Sequence, residues 1–223
     1  MIKADHKNWA RFIFNIYINN MLKKSFTNYY LINSYPDTDK NSGIILTPNH
    51  ISWWDGFFID YIVKLFSARK MYIMMLEEQL KRFWFFQKLG AYSINPGNTS
   101  SLLSVTRYTR ELLKNQNNIV IIYPQGTIES FEKRPLNIKN GLRLFIENHT
   151  AELVVVPVAF KIQYFNKKKP AVIARFGNSL KAKEICSNYQ LYINEFYYNL
   201  DELNKAVFEE KFHRDLFKER LSS

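Results

Sequence analysis

His50 and Asp55 are the two residues whose types and spacing best fit acid–base chemistry. An imidazole can accept a proton near pH 7, and a carboxylate beside it can orient the ring. Residues five positions apart on a regular helix point about 140° away from each other. The pair can therefore meet only if His50 stays in a loop and Asp55 lies in the first helical turn, with Ser52 as N-cap. A plain helix start explains the same residues, since a carboxylate is favoured at the positive end of a helix.

A second segment of interest is the turn Pro124-Gln125-Gly126-Thr127, which follows a short apolar run. Turns with Pro and Gly can expose backbone N–H groups and a hydroxyl to a bound ligand. By itself such a turn is common, and it gains meaning only from its position relative to His50.

The elements that must position these segments follow from the hydrophobic pattern, in which short apolar runs alternate with stretches of helical period. The predicted strands are Ile44 to Leu46 (ending at Pro48), Met71 to Leu76, Ile119 to Tyr123 and Leu153 to Phe160. The predicted helices are Trp53 to Phe66, Leu80 to Leu89, Ser100 to Lys114 and Lys139 to Asn148. This alternation predicts an α/β domain with a largely parallel or mixed central sheet flanked by helices, whose functional loops follow the carboxyl ends of the strands.

The stretch from Trp9 to Phe26 predicts an amphipathic N-terminal helix. Its apolar stripe comprises Trp9, Phe12, Ile13, Ile16, Tyr17 and Met21, widened by Phe14 and Ile18 and closed by Lys23 and Lys24. Such a helix fits a membrane interface beside anionic lipid, and it equally fits packing on the domain's own sheet. No stretch reaches about 18 consecutive apolar residues, so we expect no conventional transmembrane helix. The first residues also lack the apolar core of a secretory signal.

Composition limits the classes of partner and of site. The 223 residues fit one domain, and 31 Lys and Arg against 20 Asp and Glu give a net charge of +11, which favours nucleic acid or acidic lipid headgroups. The 14 Tyr, 18 Phe and 4 Trp fit either a bilayer interface or aromatic core packing. The single cysteine, Cys186, excludes an intramolecular disulfide and a cysteine-rich zinc site, and it fits a reducing compartment. We predict no metal site.

Four sequence motifs, in a fixed order along the chain, resemble those of a known protein family. They are Asn49-His50 with Asp55, then Gly90 to Asn95, then Tyr123 to Thr127, and then Val155 to Val158, with Lys139 and Gly141 as a Lys-x-Gly before the last. In this order they resemble the glycerophospholipid acyltransferase superfamily, which includes lysophosphatidate acyltransferases. The resemblance spans about residues 43 to 160. We therefore divide the single acyltransferase domain into a helical, membrane-associating segment (about 1–42), a catalytic core (about 43–160) and a variable C-terminal part (about 161–223).

The resemblance implies transfer of a fatty acyl group from an acyl thioester to the hydroxyl of an amphiphilic acceptor. His50 would be the general base and Asp55 would fix its tautomer. The implied substrate-binding residues are Asn49, Gln125, Gly126, Thr127, Lys139 and Arg134. Backbone N–H groups near Gly126 and Thr127, or at the helix start after Ser52, are the candidate oxyanion donors.

The same resemblance sets the expected partners and location. The co-substrate would be acyl-CoA or an acyl carrier protein thioester, with no further cofactor. The protein would work at a membrane lipid surface, as a peripheral or monotopic protein on the cytoplasmic side, and would not bind nucleic acid.

Departures from the family pattern concern the acceptor. Gln125 stands where lysophosphatidate-type enzymes usually carry Glu, Ile128 replaces the following Arg, and Asn95 is followed by Pro96 rather than by the expected Arg. Arginine is the favoured bidentate partner of phosphate, so its loss at two positions argues against a simple phosphoglycerol acceptor. We predict an acceptor without that phosphate, such as the sugar hydroxyl of a glycolipid or a glycosylated isoprenoid.

A lysophosphatidate or lysophospholipid acceptor stays open, because other basic residues could replace the missing arginines. Those residues are Lys133, Arg134, Lys139 and Arg143. The pair Glu129-Ser130, which displaces the family's Ser by one position, has no interpretation from the sequence.

Two other classes of function compete with the acyltransferase. Charge and aromatic content also fit a nucleic-acid-binding domain, although the basic residues are scattered rather than gathered on one face. A non-catalytic relative that binds lipid is the second alternative, against which the retained His50 and Asp55 speak. The other histidines have no predicted role: His6 lies in a polar N-terminal stretch, His149 in a turn and His213 on a charged tail helix.

Overall fold

A computed structural model describes residues 1–38, 42–147 and 152–219. Its strands are β1 (Tyr29–Leu31), β2 (Gly43–Pro48), β3 (Lys70–Leu76), β4 (Ala91–Ile94), β5 (Asn118–Ile121), β6 (Leu153–Gln163), β7 (Ala171–Phe176), β8 (Leu180–Lys181) and β9 (Arg214–Asp215). Its α-helices are α1 (Asn8–Ser25), α2 (Asp55–Phe66), α3 (Glu77–Arg82), α4 (Thr99–Lys114), α5 (Leu142–Ile146), α6 (Ala182–Ser187) and α7 (Tyr189–Phe208), and 3-10 helices cover Trp84–Leu89 and Leu216–Lys218.

The strands of the described ranges form one mixed sheet in the order β4-β3-β5-β2-β6-β7-β1-β9, with β8 paired to β6. Strands β2 to β5 pair in parallel, as do β2 with β6 and β1 with β7. The pairs β6–β7, β6–β8 and β1–β9 are antiparallel. The predicted α/β architecture with a mixed central sheet and an N-terminal helix is confirmed. Strands from outside residues 43–160, namely β1, β7, β8 and β9, complete the same sheet.

Each face of the sheet carries its own core, because successive strand residues point to opposite faces. In β2, Ile44 and Leu46 pack in a cluster with residues of α1 and α2. Ile45, between them, packs in a second cluster with residues of α4, α5, α6 and α7. A strand buried on both faces reads as a continuous apolar run, which is why β2 and β5 are recognisable in the sequence.

Helix α1 is apolar on two faces. The buried face comprises Ala10, Phe14, Ile18 and Leu22, which recur every four residues. The other face, here called the open face of α1, comprises Trp9, Phe12, Ile13, Ile16 and Tyr17, each of which is at least 53% exposed. The main part of the predicted apolar stripe is therefore not the surface that packs on the sheet. Within the described ranges, no helix has both the length and the apolar character needed to cross a bilayer.

Several predicted elements differ from the structure. The predicted helix from Leu80 to Leu89 is interrupted, because Phe83 leaves helical geometry (φ −112°, ψ 53°), and the chain continues as a 3-10 helix whose Phe86 ring packs 6.0 Å from that of Phe57. The helix predicted to end at Asn148 is the short α5, and Asn148 lies outside the described residues.

The C-terminal part also departs from expectation. Strand β7 follows the basic run Lys167–Lys169. Because this run makes the segment polar, the sequence analysis does not predict the mostly apolar strand after it. The tail helix α7 ends at Phe208, and Glu210 adopts a positive φ of 50°. His213 therefore lies in the connection to β9 and not on a helix, which corrects the prediction. His149 lies outside the described residues.

Candidate active site

The carboxyl ends of β2 and β5 bring the two predicted segments together. Strand β2 lies between β5 and β6 and runs parallel to both, so the loops after β2 and β5 leave the same edge of the sheet. His50 lies two residues after β2, and Gln125 lies four residues after β5. The loops are bonded directly, since the N–H of Glu129 donates to the carbonyl of His50 at 2.9 Å.

Asp55 is completely buried and is the first residue of α2. Its Oδ2 accepts from Nδ1 of His50 at 2.8 Å and from the N–H groups of Ile51 and Ser52 at 2.7 and 2.9 Å. Its Oδ1 accepts from the Ser52 hydroxyl at 2.7 Å. Because a carboxylate only accepts, the shared proton belongs to Nδ1, so in the neutral imidazole the lone pair lies on Nε2.

The structure places His50 in a loop and Asp55 in the first helical turn, as the spacing predicts. The position of the cap differs, because Trp54 rather than Ser52 immediately precedes the helix. The hydroxyl of Ser52 still accepts from the N–H of Trp54 at 3.1 Å, so Ser52 satisfies a donor of the helix start while it holds Asp55.

The ring of His50 stacks on the ring of Tyr123, with centroids 4.4 Å apart and planes at 29°. The His50 side chain is 24% exposed, and its Nε2 bonds to no residue in the described parts of the chain. The hydroxyl of Tyr123 is buried and has no hydrogen-bond partner among the described residues. Burial, followed by the charge of Asp55, raises the pKa of Tyr123 well above its usual value, so the ring beside His50 is a neutral phenol.

Asn49 and Gln125 hold the backbone of the histidine loop. The amide of Asn49 donates to the carbonyl of Phe160 at 2.9 Å and accepts from its N–H at 2.7 Å, which ties the end of β2 to β6. Oε1 of Gln125 accepts from the N–H of His50 at 2.6 Å. Both side chains are buried. Their contacts here are with the protein, and their binding of substrate stays a prediction.

The turn after β5 is exposed at Gly126 and Thr127. Gly126 has a φ of 69°, in the left-handed region that favours glycine. A Cβ built on Gly126 would lie 2.9 Å from Nζ of Lys139, so the Lys139 side chain crosses directly over the turn. Both polar groups of the Lys139 backbone are bonded. Its N–H donates to the carbonyl of Pro124 at 2.9 Å, and its carbonyl accepts from the hydroxyl of Tyr189 at 3.0 Å.

The remaining basic candidates are engaged with other protein groups. Lys133 forms an ion pair with Glu129. The guanidinium of Arg134 donates to the carbonyls of Phe131 and Lys133 at 2.7 and 2.8 Å. That of Arg143 donates to the carbonyl of Cys186 at 2.8 Å. Lys139 is the candidate whose charged group bonds to no protein group, side chain or backbone, in the part of the chain that the structure describes.

The second family motif lies far from His50. Its strand, β4, is at the sheet edge, three strands from β2, which corresponds to about 14 Å across the sheet. Asn95 lies just beyond β4, where its N–H donates to the Ser101 hydroxyl at 3.2 Å. The structure therefore brings together the first and third motifs, while the second forms a separate part of the same edge.

Several backbone N–H groups near His50 are already used. Those of Ile51 and Ser52 bind Asp55, and that of Gly126 donates to the carbonyl of Tyr123 at 3.1 Å. Within the described ranges, the N–H groups of Thr127 and Ile128 donate to no protein acceptor. Of the predicted oxyanion donors, those after Gly126 and the N–H of Trp53 before α2 thus have the capacity to bind a ligand.

Three residues beside His50 were not predicted to act there: Ser52 as a holder of Asp55, Tyr123 as a stacking partner, and Glu129 as a backbone donor. Tyr123 precedes the Pro-Gln-Gly turn directly, which is the one sequence signal for it. Among the described residues, no group of three or more His, Cys, Asp or Glu side chains could hold a metal ion.

Comparisons with known proteins concern the fold and the family of the chain. The fold is similar to the crystal structure of the 1-acyl-sn-glycerophosphate (LPA) acyltransferase PlsC from Thermotoga maritima, with a TM-score of 0.56 and 14% identity over 88% of this chain and 80% of that chain. No curated protein matches the sequence significantly. The model of the Acyltransferase family matches residues 26–161, which hold both His50 and the turn at Gln125. The resemblance seen in the motifs is confirmed, and the chain belongs to the Acyltransferase family, within the glycerophospholipid acyltransferase superfamily.

Proposed function

We propose that this acyltransferase moves a fatty acyl group from the thioester of acyl-CoA or an acyl carrier protein to a hydroxyl of an amphiphilic acceptor, with His50 as general base. The observation that carries this proposal is the 2.8 Å contact between Nδ1 of His50 and the buried carboxylate of Asp55, which leaves Nε2 open. An imidazole in this tautomer can take a proton from a hydroxyl.

The proposed reaction needs no covalent acyl-enzyme. Nε2 of His50 takes the acceptor proton while the acceptor oxygen attacks the thioester carbonyl, and the buried Asp55 stabilises the imidazolium. The carbonyl oxygen gains the negative charge, and the proposed donors to it are the N–H groups of Thr127 and Ile128, because these bond to no protein acceptor within the described ranges. When the tetrahedral intermediate collapses, the C–S bond breaks and the imidazolium returns the proton to the sulfur, giving an ester and a free thiol.

His50→Ala tests the base. We expect kcat to fall by about 10²- to 10⁴-fold, the usual contribution of general acid–base catalysis, while vesicle binding persists. His213→Ala is the matched control, since His213 is exposed and lies outside the site. A His50→Ala protein that is as active as wild type would refute the mechanism.

We propose an acceptor that is not a phosphoglycerol. The acylated group would be the sugar hydroxyl of a glycolipid or of a glycosylated isoprenoid. Support comes from Ile128, which is 54% exposed where the family carries Arg. Lys133, Arg134 and Arg143 are bound to other protein groups, so none of them takes over that arginine's position as a free cation.

Lysophosphatidate is the second candidate acceptor, and Lys139 is the observation that favours it. Its ammonium crosses over Gly126 and could meet a phosphate as a point charge. Acylation assays with glycolipid and lysophosphatidate acceptors separate the two candidates. Clear preference for lysophosphatidate, together with a Lys139→Met variant whose KM rises for that acceptor alone, would replace the first proposal with the second.

We also propose that the protein works on a membrane surface, as a peripheral or monotopic protein on the cytoplasmic side. The open face of α1 is a contiguous apolar helix surface followed by Lys23 and Lys24, the combination that suits an interface with anionic lipid. The acyl donor and the amphiphilic acceptor both carry long apolar chains, so a site beside a bilayer would receive them without passage through water.

A further inference from the structure

Two departures from the family motif, Gln125 and Glu129, stand side by side. Nε2 of Gln125 donates to Oε2 of Glu129 at 3.2 Å. Gln125 is completely buried, and the side chain of Glu129 is only 8% exposed. Neither side chain hydrogen-bonds to Asp55, so the pair forms a second support of His50, at its backbone, whereas Asp55 holds its ring.

The carboxylate of Glu129 and the backbone of His50 together set which way the amide of Gln125 points, since Nε2 of Gln125 also donates to the carbonyl of His50 at 3.4 Å. A carboxylate can only accept hydrogen bonds, so the NH₂ end of the amide must face it. The carbonyl end then faces His50, whose N–H donates to Oε1 of Gln125 at 2.6 Å. The same Glu129 donates its own N–H to the carbonyl of His50 at 2.9 Å. Both polar groups of the His50 backbone are thus held by residues 125 and 129.

We propose that Glu129 is a positioning residue for His50, acting through the amide of Gln125. This inference rests on the proposed function, in which His50 is the general base. It gives a reason for both departures: a carboxylate at position 125 would oppose Glu129, whereas Gln125 supplies the donor that Glu129 requires. The two residues form a matched pair, and each depends on the identity of the other.

The charged groups around Glu129 keep its carboxylate ionised. Lys133 forms an ion pair with Oε1, and the N–H of Asn137 donates to Oε2 at 3.0 Å. The hydrogen bond from Lys133, followed by that from Asn137, holds the pKa of Glu129 below its usual value. The other carboxylate near His50, that of Asp55, accepts from the His50 ring at 2.8 Å.

Exchanging the two side chains tests the pairing. Gln125→Glu places two carboxylates side by side, so one must bind a proton or both must separate. Gln125→Glu/Glu129→Gln restores one donor and one acceptor with the roles exchanged, while the carboxylate introduced at position 125 would still accept from the N–H of His50. Glu132→Gln is the matched control, since Glu132 lies in the same loop but pairs with Lys161 instead.

The experiment measures kcat and KM for acyl transfer between about pH 5 and pH 9, each relative to wild type at the same pH. Gln125→Glu should lower kcat by about 100-fold at high pH, because small misplacements of a catalytic group have effects of that size. Its relative activity should recover as the pH falls and the carboxyl pair gains a proton. The double variant should recover to within about tenfold of wild type without the extra pH dependence, and KM should change little.

Two outcomes would overturn the proposal: wild-type kcat for Gln125→Glu across the pH range, or a folded double variant no more active than Gln125→Glu. If Gln125→Glu does not fold, Glu129→Gln decides, with an expected loss of kcat of up to about tenfold at unchanged KM. The ¹⁵N resonances of the His50 ring give a readout independent of turnover. A shift of these resonances in Gln125→Glu, reversed in the double variant, supports positioning even if His50→Ala shows that His50 is not the base.

Discussion

Asp55 is the residue that holds the ring of His50. Its carboxylate accepts hydrogen bonds from the His50 ring, from two backbone N–H groups and from the Ser52 hydroxyl. Burial without these donors would be costly for a carboxylate, and the four bonds compensate for that cost. The same bonds leave one ring tautomer available, which is the form that a general base requires.

Asp55→Asn should therefore reduce kcat strongly, by about 10³- to 10⁴-fold. The NH₂ group of an Asn side chain would face the donors that now bind Asp55, and it would favour the tautomer of His50 that cannot act as the base. The same substitution lowers kcat by a similar factor in other His–Asp pairs. Ser52→Ala is the control, because it removes one donor and leaves the His50 contact intact, so kcat should stay within about tenfold of wild type. Equal activity of Asp55→Asn and Ser52→Ala, both folded by thermal unfolding, would contradict this role.

At the residue scale, the sequence predicts the identities of His50 and Asp55 because their spacing is local. The roles of Tyr123, Gln125 and Glu129 depend on the parallel pairing of β2 with β5, which brings together residues about 75 positions apart. A single sequence does not reveal this register. The sequence alone therefore predicts Gln125 as a substrate contact, because it does not reveal the buried hydrogen bond between Gln125 and the backbone of His50.

At the element scale, the loop from residue 124 to residue 139 is positioned by helix α7. The hydroxyl of Tyr197 accepts from the N–H of Leu136 at 2.8 Å, and the hydroxyl of Tyr189 donates to the carbonyl of Lys139 at 3.0 Å. Helix α7 lies beyond residues 26–161, the part that matches the family. The C-terminal part therefore has a structural task at the candidate site, which its polar sequence does not reveal.

The turn in this loop should be sensitive to a side chain at Gly126. Gly126→Ala forces a residue with a Cβ into the left-handed region, at a cost of about 1–2 kcal/mol, and places that Cβ against Lys139. Both the free energy of unfolding and kcat should fall.

Gly141→Ala is the matched control, since a Cβ there meets nothing within 4 Å and the φ of Gly141 is −59°. Its unfolding free energy should stay within about 0.5 kcal/mol of wild type. Chemical denaturation and steady-state kinetics on both variants make the comparison. Equal effects of the two substitutions would show that the conformation of Gly126 is not required.

The faces of the helices are less predictable than their existence. The sequence predicts helix α1 to within one residue at each end, yet its pattern is apolar on most of its circumference. Periodicity cannot choose between two apolar faces, and the choice is made by shape, because Ala10 allows close approach and Phe14 fits between the rings of Phe57 and Phe86. The wider face points outward.

At the scale of the whole molecule, helix α1 connects to the candidate site. Phe14 of the same helix packs 6.0 Å from Phe57, and Phe57 packs 4.7 Å from Trp53. Trp53 is 53% exposed and lies three residues after His50. A chain of packed rings thus links the buried face of α1 to the histidine loop on one side of the sheet, while the exposed Leu103 of α4 lies on the helix layer of the other side.

Phe12→Glu/Ile16→Glu should abolish most membrane binding without unfolding the protein, because both side chains are exposed. Each apolar side chain that leaves a bilayer loses about 1.5–3 kcal/mol, so affinity for vesicles of phosphatidylglycerol and phosphatidylcholine should fall by at least about 100-fold. Leu103→Glu is the control, because Leu103 is about as exposed as Phe12 (65% against 67%) but lies on the other side of the sheet. The Leu103→Glu protein should bind like wild type. Binding of wild type should weaken as salt screens Lys23 and Lys24. Vesicle co-sedimentation measures all of these, and equal losses in the two charge variants would mean that no particular face of the molecule meets the membrane.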